Sequence, residues 1–560
     1  METGNPCCRL FLVEGVERKV IMNWTPIKDI NFGEIDARNY TSSHMRDFFN
    51  NIFLPAEKLE EIKKPTKYFL IGEKGTGKTA YAVFLGKNDK SKLVHIRSTD
   101  YRRFIALKKN DDLPLSDDYS DVWELILLFI VASQLRESYN SNAIAKRIKF
   151  HAISRLIDEY HKKSTDPQVK AAIQVVQEAS KSAGIVAKLS AAEIDLKSGN
   201  TITTTSNFST WHDSIRYLIG EFKNALEELR QQNECLIFID GIDIRPKEIE
   251  YNDYIECICG LISAVLHLNQ DFFQENKNLR NIRIVALLRP DIIDTLKLQN
   301  LNAKMIDNSV VLNWVIPRYD EYRSSYLFRV FDRLLERQQK LNPGENLKFG
   351  ESWDHYFPYK IKNYISGEID GDDSFVDFIR FSFHRPRDII MMLKIAQKHC
   401  PANTKHCSKF PHINMADPRF QEEYSEYLKG EINDSLFFYH HCDAFETFYN
   451  FFPNLKPYID QNSRIFSYDD FLVAFSNFNE YCAKHSLDNS SPIFKTADIF
   501  LQSMFELNMF CYLDPTHDEI RRPNIHWYFR ERTSTRVNPR VRYGVKYKFH
   551  KGLAFAYDIL

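Results

Sequence analysis

Residues 72–79 have the sequence Gly72-Glu73-Lys74-Gly75-Thr76-Gly77-Lys78-Thr79, in which two glycines bracket four residues and a lysine and a threonine follow. Glycine lets backbone N–H groups turn inward at positive φ and approach phosphate oxygens closely, which a Cβ would hinder. In this pattern Lys78 directs a positive charge at the β- and γ-phosphates, and the hydroxyl of Thr79 is a ligand for Mg²⁺. The stretch, which we call the glycine loop, therefore predicts a nucleoside triphosphate site formed by residues 72–79 together with Ala80.

The residues on either side of the glycine loop suit a phosphate-binding turn. Residues 67–71 are a short, mostly apolar run suited to a buried strand, and residues 79–85 can begin a helix. A helix that starts directly after the loop directs its unpaired N–H groups at the anion. The flanks therefore predict a strand, the loop and a helix in that order, as in α/β proteins.

A second apolar run ends in carboxylates. Residues 234–243 are Glu-Cys-Leu-Ile-Phe-Ile-Asp-Gly-Ile-Asp, which is typical of a central parallel strand whose carboxyl end faces a ligand. Asp240 can hold Mg²⁺ opposite Thr79, directly or through water. Asp243 is the nearest candidate to orient or deprotonate an attacking water. The alternative for both residues is a solvated acidic turn at the end of a strand.

Three further runs complete a predicted sheet. Residues 92–96 and 309–314 are predicted to be strands, and residues 282–288 are predicted to be a strand that ends at Arg289. An arginine at this carboxyl end could reach the γ-phosphate and report its presence. The alternative is an ordinary surface arginine at the start of a helix. Together the runs predict a five-stranded parallel sheet, with inserted helices from about residue 121 to 232.

The order of these motifs resembles that of the AAA+ and STAND branches of P-loop ATPases. The Asp-Gly-Ile-Asp of residues 240–243 is similar to the Asp-Gly-Leu-Asp of STAND ATPases and differs from the Asp-Glu of most AAA+ proteins. The chain also resembles bacterial P-loop ATPases that carry Phe-Gly-x-x-Asp-Ala before the loop, here residues 32–37. Their lid contains His-Arg-Pro-Arg-Asp, here residues 384–388. The resemblance covers about residues 30–400.

The resemblance implies a P-loop NTPase core followed by a helical lid, with ATP and Mg²⁺ bound between them. Arg387 matches the second sensor arginine of these families, and Arg385 is the runner-up. Such a residue would couple the position of the lid to the charge of the nucleotide. The alternative is a basic helix start whose charge Asp388 compensates.

The sequence divides into four predicted regions. We expect an N-terminal arm at residues 1–29, the ATPase core at 30–315, the helical lid at 316–430 and an α+β winged-helix-like domain at 431–560. Residues 164–210, within the inserted helices, are predicted to form an excursion, because part of this stretch is poor in large apolar side chains.

Basic residues are concentrated near the C-terminus. Residues 521–551 contain ten Lys and Arg and one acid, Glu531, and residues 541–549 follow a period of two. Four basic positions are predicted to share one side of a strand: Arg540, Arg542, Lys546 and Lys548. Such a basic hairpin could contact the phosphates of DNA. The alternatives are a solvated strand face, protection of a sheet edge, and contact with a protein or a second copy.

The overall composition narrows the class of protein. The chain carries 74 Lys and Arg against 75 Asp and Glu, so no net charge attracts it as a whole to nucleic acid or anionic lipid. Ten cysteines, without a secretory pattern at the N-terminus, fit a reducing compartment, and we expect a cytoplasmic protein. The longest apolar stretch, within residues 125–132, is shorter than the about 18 residues of a membrane span, so we expect no membrane partner.

The expected function is a molecular switch that binds and hydrolyses ATP, with a lid and a C-terminal domain that respond to the nucleotide. The sequence has no Asn-Lys-x-Asp guanine-reading motif, which favours ATP over GTP. The resemblance suggests antiviral defence or mobile-element biology, with a homo-oligomer or an effector protein as partner. Two alternatives stay open: a DNA-binding protein that ATP licenses to load through the basic hairpin, and a nucleotide-bound scaffold that does not hydrolyse.

Overall fold

The three-dimensional structure is a computed structural model of the 560-residue chain. It describes residues 24–55, 57–86, 91–97, 101–102, 117–138, 211–228, 233–296, 298, 300–341, 346–361, 372–400, 409–410, 417–439, 444–514, 524–532 and 538–559. The predicted excursion at residues 164–210 and most of the predicted N-terminal arm lie outside these ranges.

The described residues contain a five-stranded sheet in which every neighbouring pair of strands is parallel. The strands are β1 (Phe69–Ile71), β2 (Ser91–His95), β3 (Cys235–Asp240), β4 (Ile282–Leu288) and β5 (Ser309–Val311). Their order across the sheet is β2-β3-β4-β1-β5. The prediction of a five-stranded parallel sheet is therefore confirmed.

Burial on both faces explains why mostly apolar runs form the inner strands β1, β3 and β4. β4 is buried along its whole length, and alternate side chains of β3 enter two different cores, Ile237 in one and Phe238 in the other. β5 stops before the predicted end at residue 314. The cause is a turn in which the Asn313 side-chain oxygen accepts a hydrogen bond from the Val315 N–H (2.9 Å).

Eight α-helices accompany the sheet in the part of the chain that the structure describes before residue 316, besides two 3-10 helices and a π-helix. They are α1 (Ser43–Ile52), α2 (Glu57–Ile62), α3 (Lys78–Leu85), α4 (Asp117–Ser138), α5 (Trp211–Glu227), α6 (Tyr251–His267), α7 (Pro290–Thr295) and α8 (Leu301–Asn308). α3 packs its Tyr81 and Ala82 on one face of the sheet. α4 and α6 pack on the other face, where the Trp123 indole N–H donates to the Cys257 carbonyl (3.0 Å).

The chain after β5 is mainly helical. Its helices are α9 (Tyr326–Glu336), α10 (Glu351–Tyr356), α11 (Ser374–Phe381), α12 (Pro386–Lys398) and α13 (Pro418–Tyr439), with the short strands β6 (Lys360–Ile361) and β7 (Asp372–Asp373). The buried carboxylate of Asp332 accepts hydrogen bonds from the N–H groups of Gly350 (2.7 Å) and Trp353 (3.1 Å), which satisfies the first turn of α10. α13 continues through position 430, where the sequence predicts a domain border.

The C-terminal region combines helices with an antiparallel sheet. Its elements are α14 (Ala444–Tyr449), α15 (Phe452–Leu455), β8 (Ile465–Ser467), α16 (Tyr468–His485), α17 (Ala497–Glu506), β9 (Phe510–Asp514), β10 (Asn524–His526), α18 (Tyr528–Glu531) and β11 (Lys546–Phe549). The described strands have the order β10-β9-β11-β8. A capping box between Ser467 and Asp470 starts α16.

The basic C-terminal strand is shorter than predicted and lies inside its sheet. β11 pairs with β8 on one side and β9 on the other, so protection of a sheet edge does not explain its charges. Tyr547 and Phe549 are buried whereas Lys546 is exposed, as the period of two predicts. Residues 540–545 are not part of the strand, and Arg521, Arg522 and Arg536 lie outside the described residues.

A second core contains both the first and the last parts of the chain that the structure describes. Ile27 and Phe32, which precede the glycine loop, are buried with Phe331 of α9, Phe378 of α11 and Phe510 of β9. The first described residues therefore pack on the helical and C-terminal regions. No helix among the described residues combines the length and the apolar character that crossing a membrane requires.

Candidate functional site

The glycine loop joins β1 to α3 at the carboxyl edge of the parallel sheet. Gly75 and Gly77 have φ angles of 86° and 90°, in the left-handed region that other residues rarely adopt. Gly77 directly precedes α3, so its conformation turns the backbone from the loop into the helix. The unpaired N–H groups at the start of α3 lie at the end of this turn, an arrangement that suits an anion.

Hydrogen bonds from a side chain of the loop and from the segment after β5 stabilise the loop backbone. The Thr76 hydroxyl is buried and donates to the Glu73 carbonyl (2.8 Å). The Trp314 indole N–H donates to the Thr76 carbonyl (2.8 Å). These bonds fix the loop backbone with respect to the sheet.

The Lys78 ammonium lies inside the loop. The residue is only 8% exposed, and Nζ donates to the carbonyls of Gly72 (2.7 Å) and Glu73 (3.1 Å). Burial lowers the pKa of Lys78, and the nearby carboxylates of Asp243 and Asp240 oppose this shift. An anionic phosphate oxygen is a stronger acceptor for an ammonium group than these neutral carbonyls are.

Thr79 and Asp240 meet across the edge of the sheet. The Thr79 hydroxyl donates to Asp240 Oδ2 (2.9 Å), and the Gly241 N–H donates to Oδ1 (2.9 Å). A hydroxyl and a carboxylate oxygen are ligands of the hard type that Mg²⁺ takes, usually with waters and substrate phosphates completing its shell. Thr79 and Asp240 are therefore the residues here that would hold Mg²⁺. Among the described residues, no group of three or more His, Cys, Asp or Glu could hold a metal ion.

Asp243 and Arg289 lie close to these groups but differ in their surroundings. The charge of Asp243 acts on Lys78 and on Arg289. Arg289 is buried, donates from Nε to Asp291 (3.0 Å) and from Nη2 to the same carboxylate, and lies over the Phe438 ring. Burial opposes a charged Arg289, but Asp291 raises its pKa well above the usual value. Arg289 thus precedes α7 with its guanidinium already paired.

The two arginines at the start of α12 both contact the glycine loop. The Arg387 N–H donates to the Gly75 carbonyl (3.4 Å), and its guanidinium, a quarter exposed, lies 3.7 Å from Glu431. Arg385 donates from Nη1 to the Lys74 carbonyl (3.0 Å) and is bound by Asp388 (2.7 Å). Of the two, Arg387 has the less occupied guanidinium.

Three ion pairs of the glycine loop were not predicted. Glu73 accepts a hydrogen bond from Arg532 Nη1 (2.5 Å), which follows α18. Lys74 pairs with Glu431 (3.2 Å) and Asp434 (2.5 Å) of α13. Nothing in one sequence indicates ion pairs between residues hundreds of positions apart. Through these pairs the Glu73 carboxylate contacts the C-terminal region and the Lys74 ammonium contacts α13.

His95 and Arg38, which lie beside Asp240, were also missed in the sequence. The register of the sheet could have indicated His95. His95 ends β2 and pairs in register with Asp240, and its Nδ1 lies 4.0 Å from Asp240 Oδ2. Arg38 Nη1 lies 2.9 Å from His95 Nε2, and the Arg38 guanidinium is also bound by Asp36. Burial lowers the pKa of His95, which favours its neutral form. A prediction of β2 next to β3 would have placed His95 beside Asp240.

Comparison with known proteins gives no match. The chain matches no known protein-family profile, no curated protein and no solved structure.

Proposed function

We propose that the chain is an ATP-binding protein of the P-loop class that hydrolyses ATP with Mg²⁺. The observation that carries this proposal is the contact of the Thr79 hydroxyl with Asp240 beside a glycine loop with left-handed glycines. These two residues are 161 positions apart and meet next to a lysine whose ammonium lies inside the loop. A triphosphate site requires this combination of an anion-binding backbone, a cation and metal ligands.

In the proposed reaction a water oxygen attacks the γ-phosphorus, and the bond from that phosphorus to the β–γ bridging oxygen breaks. The electron pair of the broken bond leaves with ADP, and both hydrogens of the water remain on the released phosphate. Lys78 and the N–H groups of the glycine loop bind the phosphates and offset the charge that develops on them. Mg²⁺ would supply Lewis-acid stabilisation of this charge, with Thr79 and Asp240 as its protein ligands.

We assign three further roles within this proposal. Asp243 accepts a hydrogen bond from the attacking water and so orients it. Arg289 and Arg387 respond to the γ-phosphate. In support, the charge of Asp243 reaches Lys78 and Arg289, and the main chain of Arg387 is bonded to Gly75.

We also propose that residues 316–430 act as a helical lid of the AAA+/STAND type, followed by a winged-helix-like domain. The start of α12 contacts the glycine loop at Lys74 and Gly75, so a shift of the loop on phosphate binding would act on α12 directly. The proposal includes a cytoplasmic location, a second copy of the chain or an effector protein as partner, and a role in antiviral defence or mobile-element biology.

Equilibrium binding of ATP with Mg²⁺ tests the proposal. We expect the wild-type chain to bind ATP and Lys78→Ala to lose about tenfold or more in affinity, because charge-assisted bonds contribute about 1.5–3 kcal/mol. Lys63→Ala is the matched control, since Lys63 is exposed and paired with Glu60. Absence of ATP binding in the wild type, or equal affinity in the two variants, contradicts the proposal.

The metal ligands are tested in the same assay. Asp240→Asn should bind ATP equally with Mg²⁺ and with a chelator, whereas the wild type should bind more tightly with Mg²⁺. Asp320→Asn, at an exposed aspartate, should keep the wild-type difference. If Mg²⁺ still increases the ATP affinity of Asp240→Asn, Asp240 is not a ligand of the metal.

A second candidate function is DNA binding by the C-terminal region. Arg540, Arg542 and Lys546 are exposed, and the Tyr543 side chain between them is 47% exposed. Exposed cations beside an exposed ring can contact phosphates and stack on bases.

A further inference from the structure

A short N-terminal segment packs against α3, the helix that follows the glycine loop. The 3-10 helix Ala37–Thr41 begins after Asp36, whose carboxylate accepts a hydrogen bond from the Arg38 N–H (3.0 Å). Tyr40 is buried and stacks on Phe49, with ring centroids 4.3 Å apart. The backbone of this segment is therefore fixed, although the Arg38 side chain keeps 45% of its surface exposed.

The Arg38 guanidinium has two partners. Its Nε and Nη2 donate to the Asp36 carboxylate (2.9 and 2.5 Å), and its Nη1 lies 2.9 Å from His95 Nε2. Because a guanidinium can only donate, His95 Nε2 is the acceptor, and the hydrogen of the neutral imidazole is on Nδ1. The guanidinium has more N–H groups than these bonds use, so Nη1 and Nη2 can each serve a further acceptor.

His95 connects Arg38 to the residues proposed to hold Mg²⁺. Its Nδ1 is buried, has no hydrogen-bond partner among the described residues and lies 4.0 Å from Asp240 Oδ2. The same Oδ2 accepts the hydrogen bond from Thr79. Thr79, Asp240, His95 and Arg38 are therefore neighbours in that order at the carboxyl edge of the sheet.

We propose that Arg38 is a phosphate-contacting residue of the nucleotide site and that His95 is the residue that positions it. This inference rests on the proposed binding of ATP and extends it, because the glycine-loop pattern does not include Arg38. A planar guanidinium matches phosphate oxygens in geometry as well as charge. Since Arg38 lies beside His95, the neighbour of the metal-site residue Asp240, it contacts the terminal phosphate, and it favours triphosphate over diphosphate.

Binding of ADP and of a non-hydrolysable ATP analogue, both with Mg²⁺, tests this inference without measuring turnover. Arg38→Ala should weaken binding of the analogue about tenfold and change ADP binding by less than about twofold. Arg38→Lys should lie between, because it keeps the charge and loses the planar fork. Arg46→Ala, at an exposed arginine of α1, is the control and should match the wild type for both ligands.

The role of His95 is tested by two substitutions. Gln keeps an acceptor near the position of Nε2, so His95→Gln should retain most of the preference for the analogue over ADP. His95→Leu has no acceptor for Arg38 and should lose that preference about as much as Arg38→Ala does. Equal preferences in His95→Gln and His95→Leu would overturn the positioning role.

The outcomes separate this inference from the proposed function. If the wild type binds both ligands and Arg38→Ala matches it for both, or loses both equally, the inference is overturned and ATP binding stands. If the wild type binds neither ligand, the proposed function is overturned and this inference with it.

Discussion

The carboxyl of Asp294, on α7, has a raised pKa and lies close to Arg532, the partner of Glu73. Burial raises the pKa of Asp294 to about 7, and the Arg532 guanidinium, 3.5 Å away, opposes this shift. Its neighbour Asp291 has the opposite response: burial opposes ionisation, but Arg289 lowers the pKa of Asp291. The pKa values of these two carboxyls, three positions apart, thus shift in opposite directions because an arginine binds both oxygens of Asp291.

The stability of the chain should depend on pH through Asp294. An unfolded aspartate has a pKa of about 3.9, so between about pH 4 and pH 7 the folded chain binds the extra proton. The free energy of unfolding therefore falls as pH rises through this window. Asp294→Asn cannot ionise, so its melting temperature relative to wild type should rise by about 2 °C or more between pH 5 and pH 8.

Thermal unfolding of both proteins at the two pH values provides the measurement. Asp320→Asn serves as the control, since Asp320 is exposed and paired with Arg318, and its difference from wild type should show little change over this range. If the difference in melting temperature between Asp294→Asn and wild type is the same at both pH values, this carboxyl is ionised in the folded chain at pH 5.

At the scale of elements, three parts of the chain after residue 380 contact the glycine loop, in addition to Trp314 and Asp240. α12 contacts the Lys74 and Gly75 carbonyls through Arg385 and Arg387, and α13 pairs with the Lys74 ammonium. The third contact is the pair of Glu73 with Arg532, whose side chain is only 8% exposed. A loop with a fixed backbone and partners on α12, on α13 and after α18 is suited to transmit a change in its position.

The Glu73–Arg532 pair should contribute measurably to stability. Breaking a buried pair costs about 3–5 kcal/mol, but Glu73 keeps a third of its side chain exposed, so we expect about 1–2 kcal/mol for Arg532→Met. Melting temperatures are the measurement, and the double variant with Glu73→Gln should lose less than the two single variants combined. Arg542→Met is the control, since its pair with Asp514 is exposed. Additive losses of melting temperature in the double variant would contradict a coupling between Glu73 and Arg532. Equal losses for Arg532→Met and Arg542→Met would contradict it too.

Most strands of the core were predictable from sequence because β1, β3, β4 and β5 are mostly apolar runs, whereas β2 contains only two apolar residues. The pairing of Thr79 with Asp240 was also expected, since parallel strands bring their carboxyl ends to one edge. The sequence did not predict the ion pair of Glu73 with Arg532 or the contact of Arg38 with His95. Each depends on how separate parts of the chain pack, and a side chain's polarity alone does not identify its partner.

At the scale of the whole molecule, the chain has almost no net charge, so any contact with DNA must be local. The exposed C-terminal cations provide such a patch. Arg540→Gln combined with Lys546→Gln should lower the affinity for duplex DNA and reduce its dependence on salt, because each phosphate contact releases counterions. Arg318→Gln with Lys484→Gln removes the same charge elsewhere on the exposed surface and is the control. Equal affinity and salt dependence in the two double variants would reject DNA binding by this patch.

Release of phosphate from ATP with Mg²⁺ under multiple-turnover conditions tests the central claim most directly. We predict that the wild type and Lys63→Ala release more than one phosphate per chain, and that Lys78→Ala is slower by about 100-fold or more, as when one charge-stabilising donor is lost. Release that survives Lys78→Ala would contradict the assigned site. ATP binding without release by the wild type would contradict hydrolysis and leave a nucleotide-bound scaffold.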